Sequence, residues 1–549
     1  MTSELNASPG TQAGAPSRFG VFGHAAFTAI LMATTLSSIG FAMFDTATGW
    51  LMTSLNPTPR MVSAVQVSAT LPFFLLTLPA GAMSDVVDPR RLLIAAQSGV
   101  LAVAVAFALV VATGHAHPAA VLAASFLLGA GGAVAAPAWL LIAPMLVPRA
   151  DLEASLAIDN ATYNVARAIG PAIAGFMIAW LGVDAPFWIC CLASFLLLAA
   201  LVWWREPPRR KETLPAERLV SAMTTGLRYV RNSREMDSTL IRAAAFFPFA
   251  SAYLALLPLV ARNELRNGPE VYGELMGLIG LGSIAASLAL NWLKARFGPN
   301  GIAALGAIGT ALALFLLALA REPSLAYAGS LVAGASWIIM LTTVYVSAQV
   351  ALPEWVRGRG LAVFLTVYFG ALTLGSAFWG EVASREGLSF ALAAAGAGAL
   401  AGFALTWRWK LQTGAGLNLA PSMHWRAPCF LNRIEDDEGP IMAIVEYTID
   451  PKDTAAFLTV MQEIGLERKR DGAYAWNVFE DPNQAGSIVE TFLIHSLLEL
   501  KYRRSRLTIA DELIEDRASK LLKAPQTTRY LVAPKPGSRS WPGRASSAK

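Results

Sequence analysis

Apolar stretches of about twenty residues recur from residue 24 to residue 408, near 24–52, 61–83, 92–113, 118–146, 155–181, 186–204, 240–261, 272–293, 301–320, 324–350, 361–383 and 388–408. An α-helix rises about 1.5 Å per residue, so each stretch can cross a hydrocarbon core roughly 30 Å thick. Within lipid every backbone N–H and C=O must find a partner inside the segment, which leaves helices as the form such a run can take. Twelve spans are therefore expected, and a soluble fold is excluded for this part of the chain. Only 15% of the 549 residues are charged, against about 25% in soluble domains. Most of that charge falls after about residue 410 or in short clusters before it.

The clusters sort between alternate loops. One set holds Arg90 and Arg91, then Arg149, Arg205 to Arg234, Lys294 and Arg296, Arg357 and Arg359, and Arg408 with Lys410. The other holds Arg60, Arg262, Arg266, Arg321 and Arg385. Positively charged loops stay cytoplasmic, so the first set and both termini are expected in the cytoplasm, in a bacterial inner membrane. Met1 to Ser17 carry no Lys or Arg and read as a disordered tail rather than a cleavable leader. Cys190 and Cys191 are adjacent in an apolar run, and with Cys429 they make no disulfide framework.

The expected organisation is a cytoplasmic tail over 1–20, a six-helix bundle over 21–205, a linker over 206–238, a second six-helix bundle over 239–410, a linker over 411–437, a ferredoxin-like α+β domain over 438–535 and a tail over 536–549. The first linker opens with a Pro and basic run and continues with Leu219, Met223, Leu227 and Val230 at helical spacing, with Arg228, Arg231 and Arg234 elsewhere. It reads as an amphipathic helix at the membrane surface. The two bundles share weak likeness at an offset of about 205–210 residues: Gly170 and Gly175 match Gly375 and Gly380, and Pro89 matches Pro299. Internal repeats of this kind are a signature of transporters, and their small residues permit close helix packing.

The sharpest local motif is Gly81-Ala82-Met83-Ser84-Asp85-Val86-Val87-Asp88-Pro89-Arg90-Arg91, after the second span. It resembles the loop signature of the major facilitator superfamily, with Val86 where that family usually carries a basic residue. Gly49-Trp50-Leu51-Met52, Asn164-Val165-Ala166-Arg167-Ala168-Ile169-Gly170-Pro171, and the run from Gln349 to Gly360 narrow the likeness to its enterobactin-exporter-like, transmembrane secretion effector branch. The resemblance covers roughly residues 18–410. It implies two bundles around a cavity of alternating access, with export rather than uptake. It further implies that Gly81, Asp85, Arg90 and Arg91 latch the cytoplasmic gate, Asp85 against the start of the eleventh helix.

Polar side chains inside a bilayer are costly and are candidates for function. Asn160, Asn164 and Arg167 share one face of the fifth helix, and Pro171 continues it. Asp45 lies in the outer half of the first helix, within possible reach of Arg167; an ion pair there that opens in one state would couple transport to protons. Gln349 and Glu381 are further cavity candidates, as are the aromatics Trp139, Tyr253, Trp337, Tyr345, Tyr368 and Trp379. Arg242, at the start of the seventh helix, is expected to snorkel to the interface.

After Pro421 the pattern changes. Ile441–Ile449 reads as a strand, Pro451 opens a helix through about Lys469, Ala473 to Phe479 and Ser487 to Ile494 read as strands, one charged helix runs from Leu497 to Leu522, and Thr527 to Val532 closes as a strand. This βαββαβ order resembles dimeric α+β barrel modules related to antibiotic-biosynthesis monooxygenases, and self-association through the module is one expectation. His495 is a lone histidine; no metal cluster, nucleophile elbow or phosphate loop is visible. No cofactor, metal or nucleic-acid partner is expected, and Lys501, Arg503, Arg504 and Arg506 lack the interleaved aromatics of a nucleic-acid surface. The expected function is a secondary active transporter, a proton-coupled antiporter exporting a small organic molecule, and not an enzyme. An uptake permease, or a membrane-anchored enzyme or sensor acting through the tail, are the rivals.

Overall fold

The computed structural model describes residues 20–84, 87–148, 151–204, 219–412, 418–422, 424 and 438–533. Its membrane block contains α1 (Ala25–Leu55), α2 (Pro59–Ser84), α3 (Pro89–Ala112), α4 (Pro118–Leu146), α5 (Leu152–Leu181), α6 (Ala185–Trp203), α7 (Leu219–Arg231), α8 (Arg234–Leu259), α9 (Pro269–Leu319), α10 (Pro323–Val350), α11 (Arg357–Glu386) and α12 (Leu388–Leu405). Eleven of these are long and apolar enough to cross a membrane, α7 being the exception. The 51-residue α9 would be about 77 Å long if straight, far beyond one crossing. It breaks at Gly298 (φ +62°, ψ 173°), a conformation that a Cβ disfavours. Its two limbs bring the crossings to the expected twelve.

Helix ends follow from local chemistry. Proline stands at the first turn of α3, α4, α9 and α10, where its missing N–H costs nothing. Asp88 caps α3 by accepting from the Arg91 N–H at 3.0 Å. Gly182 (φ +99°) ends α5 and Gly387 (φ +93°) ends α11. These glycines are 205 positions apart. The same interval separates Pro118 from Pro323 and the first residue of α5 from that of α11. The repeat thus extends to helix starts and stops, beyond the Gly pairs found in the sequence.

Arg242 does not snorkel. It is 1% exposed, donates from Nε to the Trp409 carbonyl at 2.8 Å and lies 4.8 Å from the Phe403 ring centroid. A carbonyl left open beyond the end of α12 thus satisfies it, and the guanidinium ties the start of α8 to the exit of the membrane block.

The tail forms β1 (Ile441–Ile449), α13 (Thr454–Arg470), β2 (Tyr474–Glu480), β3 (Ser487–Ile494), α14 (Leu497–Arg506), α15 (Ile509–Ser519) and β4 (Leu522–Val532). The antiparallel sheet has order β2-β3-β1-β4, as the βαββαβ reading requires. Two expectations need correction. The charged helix is two helices, because Thr508 and Asp511 form a capping box that restarts the chain. β4 begins at Leu522 rather than Thr527. Arg503 and Arg506, expected on a surface, are 4% and 6% exposed; Arg506 donates to the Asp471 carbonyl at 2.9 Å.

α7 joins the two parts. Tyr229 and Val230 are buried while Leu227 is 54% exposed, so the covered face is not the whole apolar stripe. Arg228 donates to Glu499 at 2.7 Å. Arg470 lies over the Tyr229 ring and Arg506 over Trp355, at 5.2 and 4.9 Å. The tail therefore docks on α7 and on the loop between α10 and α11.

A short strap precedes the sheet. Pro421 bridges to Thr508, Ile509 N–H donates to the Ala420 carbonyl at 3.0 Å, and His424 Nε2 meets Glu515 Oε2 at 2.9 Å. The hydrogen bond to Glu515 holds the His424 pKa above its ordinary value, against burial and with help from the Glu515 and Glu512 charges. A raised folded-state pKa gives stability that is full below the unfolded value and lost as pH rises through the folded one. We expect the protection factors of the amides over residues 418–422, taken relative to the intrinsic exchange rate at each pH, to be about fivefold higher at pH 5.5 than at pH 8.5, in line with an ion pair worth about 1 kcal/mol. His424→Ala should remove the difference; equal pH dependence in the variant would refute the role of His424.

Candidate transport cavity

A cavity of about 540 Å³ lies between the two halves. The first half contributes Phe41, Asp45, Gln66, Phe73, Asn164 and Arg167, and the second contributes Ser283, Trp337, Tyr368 and Phe369. Along α1 every residue from Met43 to Thr53 is buried except Asp45. On α5 Arg167 is exposed between buried Ala166 and Ala168. Both open side chains line the cavity, and among the described lining residues they are the one carboxylate and the one guanidinium. No ion pair within 4 Å joins them, so the expected Asp45–Arg167 contact is a shared chamber rather than a closed bridge.

The end of the cavity remote from α7 is sealed across the halves. Trp50 stacks on Tyr272 with ring centroids 6.1 Å apart. Arg262 covers Trp50 at 5.7 Å and donates to Thr53 and Ser54 at 2.9 and 2.8 Å. A methyl group at Gly175 would stand 2.6 Å from the Pro269 carbonyl oxygen and 2.7 Å from the Gly273 Cα. Arg60 donates to Glu381 at 2.7 Å. Tyr272 in this seal is 4% exposed, whereas Tyr163, nearer the α7 end, is 52% exposed and lines the cavity.

The remaining candidates fall in several places. Glu381 belongs to the remote seal. Gln349 sits near the α7 end of α10 and is not a lining residue. The side chain of Asn160 lies outside the described residues, as does Asp85. Gly81 faces α11, where a methyl would touch the Ala362 Cβ at 3.9 Å. Arg90 caps the last turn of α6, donating to the carbonyls of Leu201 and Val202 at 3.2 and 3.0 Å; Arg91 lies in the first turn of α3.

The matched glycines divide by role. Gly170 abuts Ala42 of α1 and Gly375 abuts Pro248 of α8, each within its own half. Gly175 meets Gly273, and Gly380 meets Ser63, each across the halves. Among the aromatics, Trp139, Trp337 and Tyr368 line the cavity. Trp379 donates to the Pro248 carbonyl at 2.9 Å, Tyr345 packs on Phe364, and Tyr253 is buried against Trp337. Sequence reasoning missed Gln66 and the Trp50–Tyr272–Arg262 seal. Trp50 is over 200 residues from its partners Arg262 and Tyr272, and no local pattern marks them.

In the tail, an apolar core of Ile441, Ala443, Val445, Phe457, Met461 and Phe492 is bordered by a buried charged cluster. Arg468 bonds Glu467, Glu490 and Glu515 at 2.9, 3.3 and 2.6 Å, and Trp476 donates to Glu490 at 2.9 Å. A void of about 10 Å³ remains beside Arg468 and Arg503. His495 stacks on Tyr474 at 4.3 Å. No group of three or more metal-ligating side chains occurs among the described residues.

Comparison with known proteins agrees with this architecture. The chain is 28% identical to the multidrug efflux pump Tap of Mycobacterium bovis over 375 residues, which is 65% of this chain and 87% of that protein. It is 24% identical to the staphyloferrin A transporter of Staphylococcus aureus over 247 residues, 44% of this chain and 60% of that one. Among solved structures, a point variant of the nucleoside transporter NupG matches with TM-score 0.60 at 11% identity, over 70% of this chain and 99% of that one. A bacterial homologue of the lysosomal transporter Spinster, inward-facing and unoccupied, matches with TM-score 0.55 at 14% identity, over 70% and 97%. The family model described as transmembrane secretion effector matches residues 16–535. With twelve crossings, a chamber between two halves and that match over nearly its whole length, the chain belongs to the transmembrane secretion effector family of major facilitator transporters.

Proposed function

We propose that this transporter exports a small organic molecule from the cytoplasm in exchange for protons. The observation that carries the reading is a chamber between pseudo-equivalent halves with one acid and one base on its wall, sealed across the halves at the end remote from the basic loops. The basic loops support an orientation with that remote end outside and both termini in the cytoplasm of a bacterial inner membrane, and in that orientation the seal fits a state open to the cytoplasm. The efflux pump among its relatives favours export over uptake.

Asp45 is the group that can carry the proton, being the acid that faces the chamber. We expect cells carrying Asp45→Asn to retain the exported compound as fully as cells lacking the protein. Comparative metabolite profiling of cells and medium reads this, and the same comparison identifies the compound. A compound that instead falls inside cells when the protein is removed would establish uptake. Undiminished export by Asp45→Asn under an imposed pH gradient would take Asp45 out of the coupling.

The tail we assign an accessory, regulatory role without catalysis. Its docking on α7 and on the Trp355 loop supports this, as does a packed interior that leaves a void of only about 10 Å³ beside Arg468 and Arg503. Phe479 and Leu531 are 55% and 54% exposed on the sheet face turned away from Ile441, Ala443 and Val445, and that face is the surface on which self-association would occur.

A further inference from the structure

Two hydrogen-bond donors on the chamber wall, one from each half, lack an acceptor among the described residues. Arg167 is open to the cavity and makes no hydrogen bond and no ion pair within 4 Å to a described residue. Trp337 lines the same cavity, is 4% exposed, and its indole N–H has no acceptor among the described residues. Tyr253, 1% exposed, has a hydroxyl likewise unpartnered, and its ring lies 6.1 Å from that of Trp337. Tyr368, a third wall residue, lies 6.3 Å from Trp337 by ring centroids. Arg167 is within electrostatic range of both phenols and of Asp45.

A buried donor without an acceptor forfeits the hydrogen bonds it had in water, and an indole N–H can only donate. A guanidinium presents five donors and no acceptor. The ligand that completes this set must therefore bring acceptors, and a negative charge answers Arg167. Phe41, Phe73 and Phe369 supply apolar wall around it, which suits an apolar or aromatic body attached to the acid. Asp45, on the neighbouring helix of the same half, works against such a ligand, and this sets the alternative: a cationic ligand seated on Asp45. The unpaired donors favour the anion, because a cation would leave Arg167 and Trp337 as they are.

We propose that Arg167 and the Trp337 indole N–H form a carboxylate-binding subsite, so that the transported molecule is an organic acid with an apolar body. This rests on the reading of the chamber as the transport site.

The test uses purified full-length protein and three tritiated probes of one shape: indole-3-acetate, its neutral amide indole-3-acetamide, and the cation tryptamine. Equilibrium binding is read by scintillation proximity. The acid is expected to bind about tenfold or more tighter than the amide, the range for hydrogen bonds to a charged group. Arg167→Gln should erase that preference while the amide binds as before, and Arg167→Lys should keep part of it. Trp337→Phe removes only the N–H donor and should cost the acid several-fold more than the amide. Asp45→Asn should leave acid binding equal or stronger. Equal binding of acid and amide overturns the subsite while leaving the transport chamber standing. So does a preference for tryptamine that Asp45→Asn removes. If none of the three binds at millimolar concentration, the subsite for an acid with an apolar body is overturned, while the transport reading is decided separately by the metabolite profiling.

Discussion

Arg468→Ala is expected to destabilise the tail domain by about 3–5 kcal/mol, the cost of removing one partner from a buried ionic cluster. Arg468 is 6% exposed and bonds three carboxylates. Glu490 is 0% exposed and Glu467 2%, so neither can turn to water. Burial, joined by the charges of Glu515, Asp511 and Asp471, pushes Glu467 well above the ordinary carboxylate range even with Arg468 present. Burial would also raise Glu515, but Arg468 and His424 outweigh it and bring its pKa to about 2. Without the guanidinium, Glu490 loses its basic partner and cannot reach water unless the sheet opens. The measurement is amide exchange in β1 and β3 of the full-length protein: protection there should fall by roughly 150-fold or more. Arg468→Met together with Glu490→Gln should recover much of the loss, since burying neutral groups avoids the unpaired charge. Unchanged exchange in Arg468→Ala would show that the cluster contributes nothing net.

This cluster also shows where the sequence stops being readable. Strands β1 and β3 could be placed from alternation, because one face of each is buried and the period of two is visible in the residues themselves. The break between α14 and α15 was also available, in Thr508-Ile509-Ala510-Asp511, yet the charged run around it reads as one continuous helix. Arg468, Glu490 and Glu515 are different. Each looks like a surface residue in its own segment, and only the fold brings them together.

In the membrane block the helices were legible because lipid imposes their length, and even α9 was separable by the polar, Gly- and Pro-containing stretch near Gly298. Asp45 and Arg167 were legible because charge within a span is rare. The unpaired indole of Trp337 was not, since satisfaction of a donor is a property of its surroundings. The repeat carried more than the residue matches promised. Gly170 and Gly375 hold their own halves together, while Gly175 and Gly380 touch the opposite half, so residue positions at one offset perform equivalent tasks.

That division makes a discriminating test of alternating access. Gly175→Val is expected to shift the protein by about 5- to 150-fold toward the state open at the remote end. The added atoms meet Pro269 and Gly273 across the halves, at a distance real Cβ atoms rarely show. Overpacking of this kind costs about 1–3 kcal/mol, and here the cost falls only on the state in which the two halves touch at Gly175. A penalty on one state alone becomes a population shift of the corresponding factor. Gly170→Val crowds Ala42 and Ile39 of α1 within the same half, so its cost falls on both states alike; it should lower thermal stability without moving the balance. The readout is maleimide labelling of Gln66→Cys, on the chamber wall, in a background lacking Cys190, Cys191 and Cys429. Labelling from the remote side should accelerate in Gly175→Val and not in Gly170→Val, while transport falls in the former because closure at that end is opposed. Equal acceleration in both variants would mean that the glycines matter only for packing and that the halves do not part at this contact.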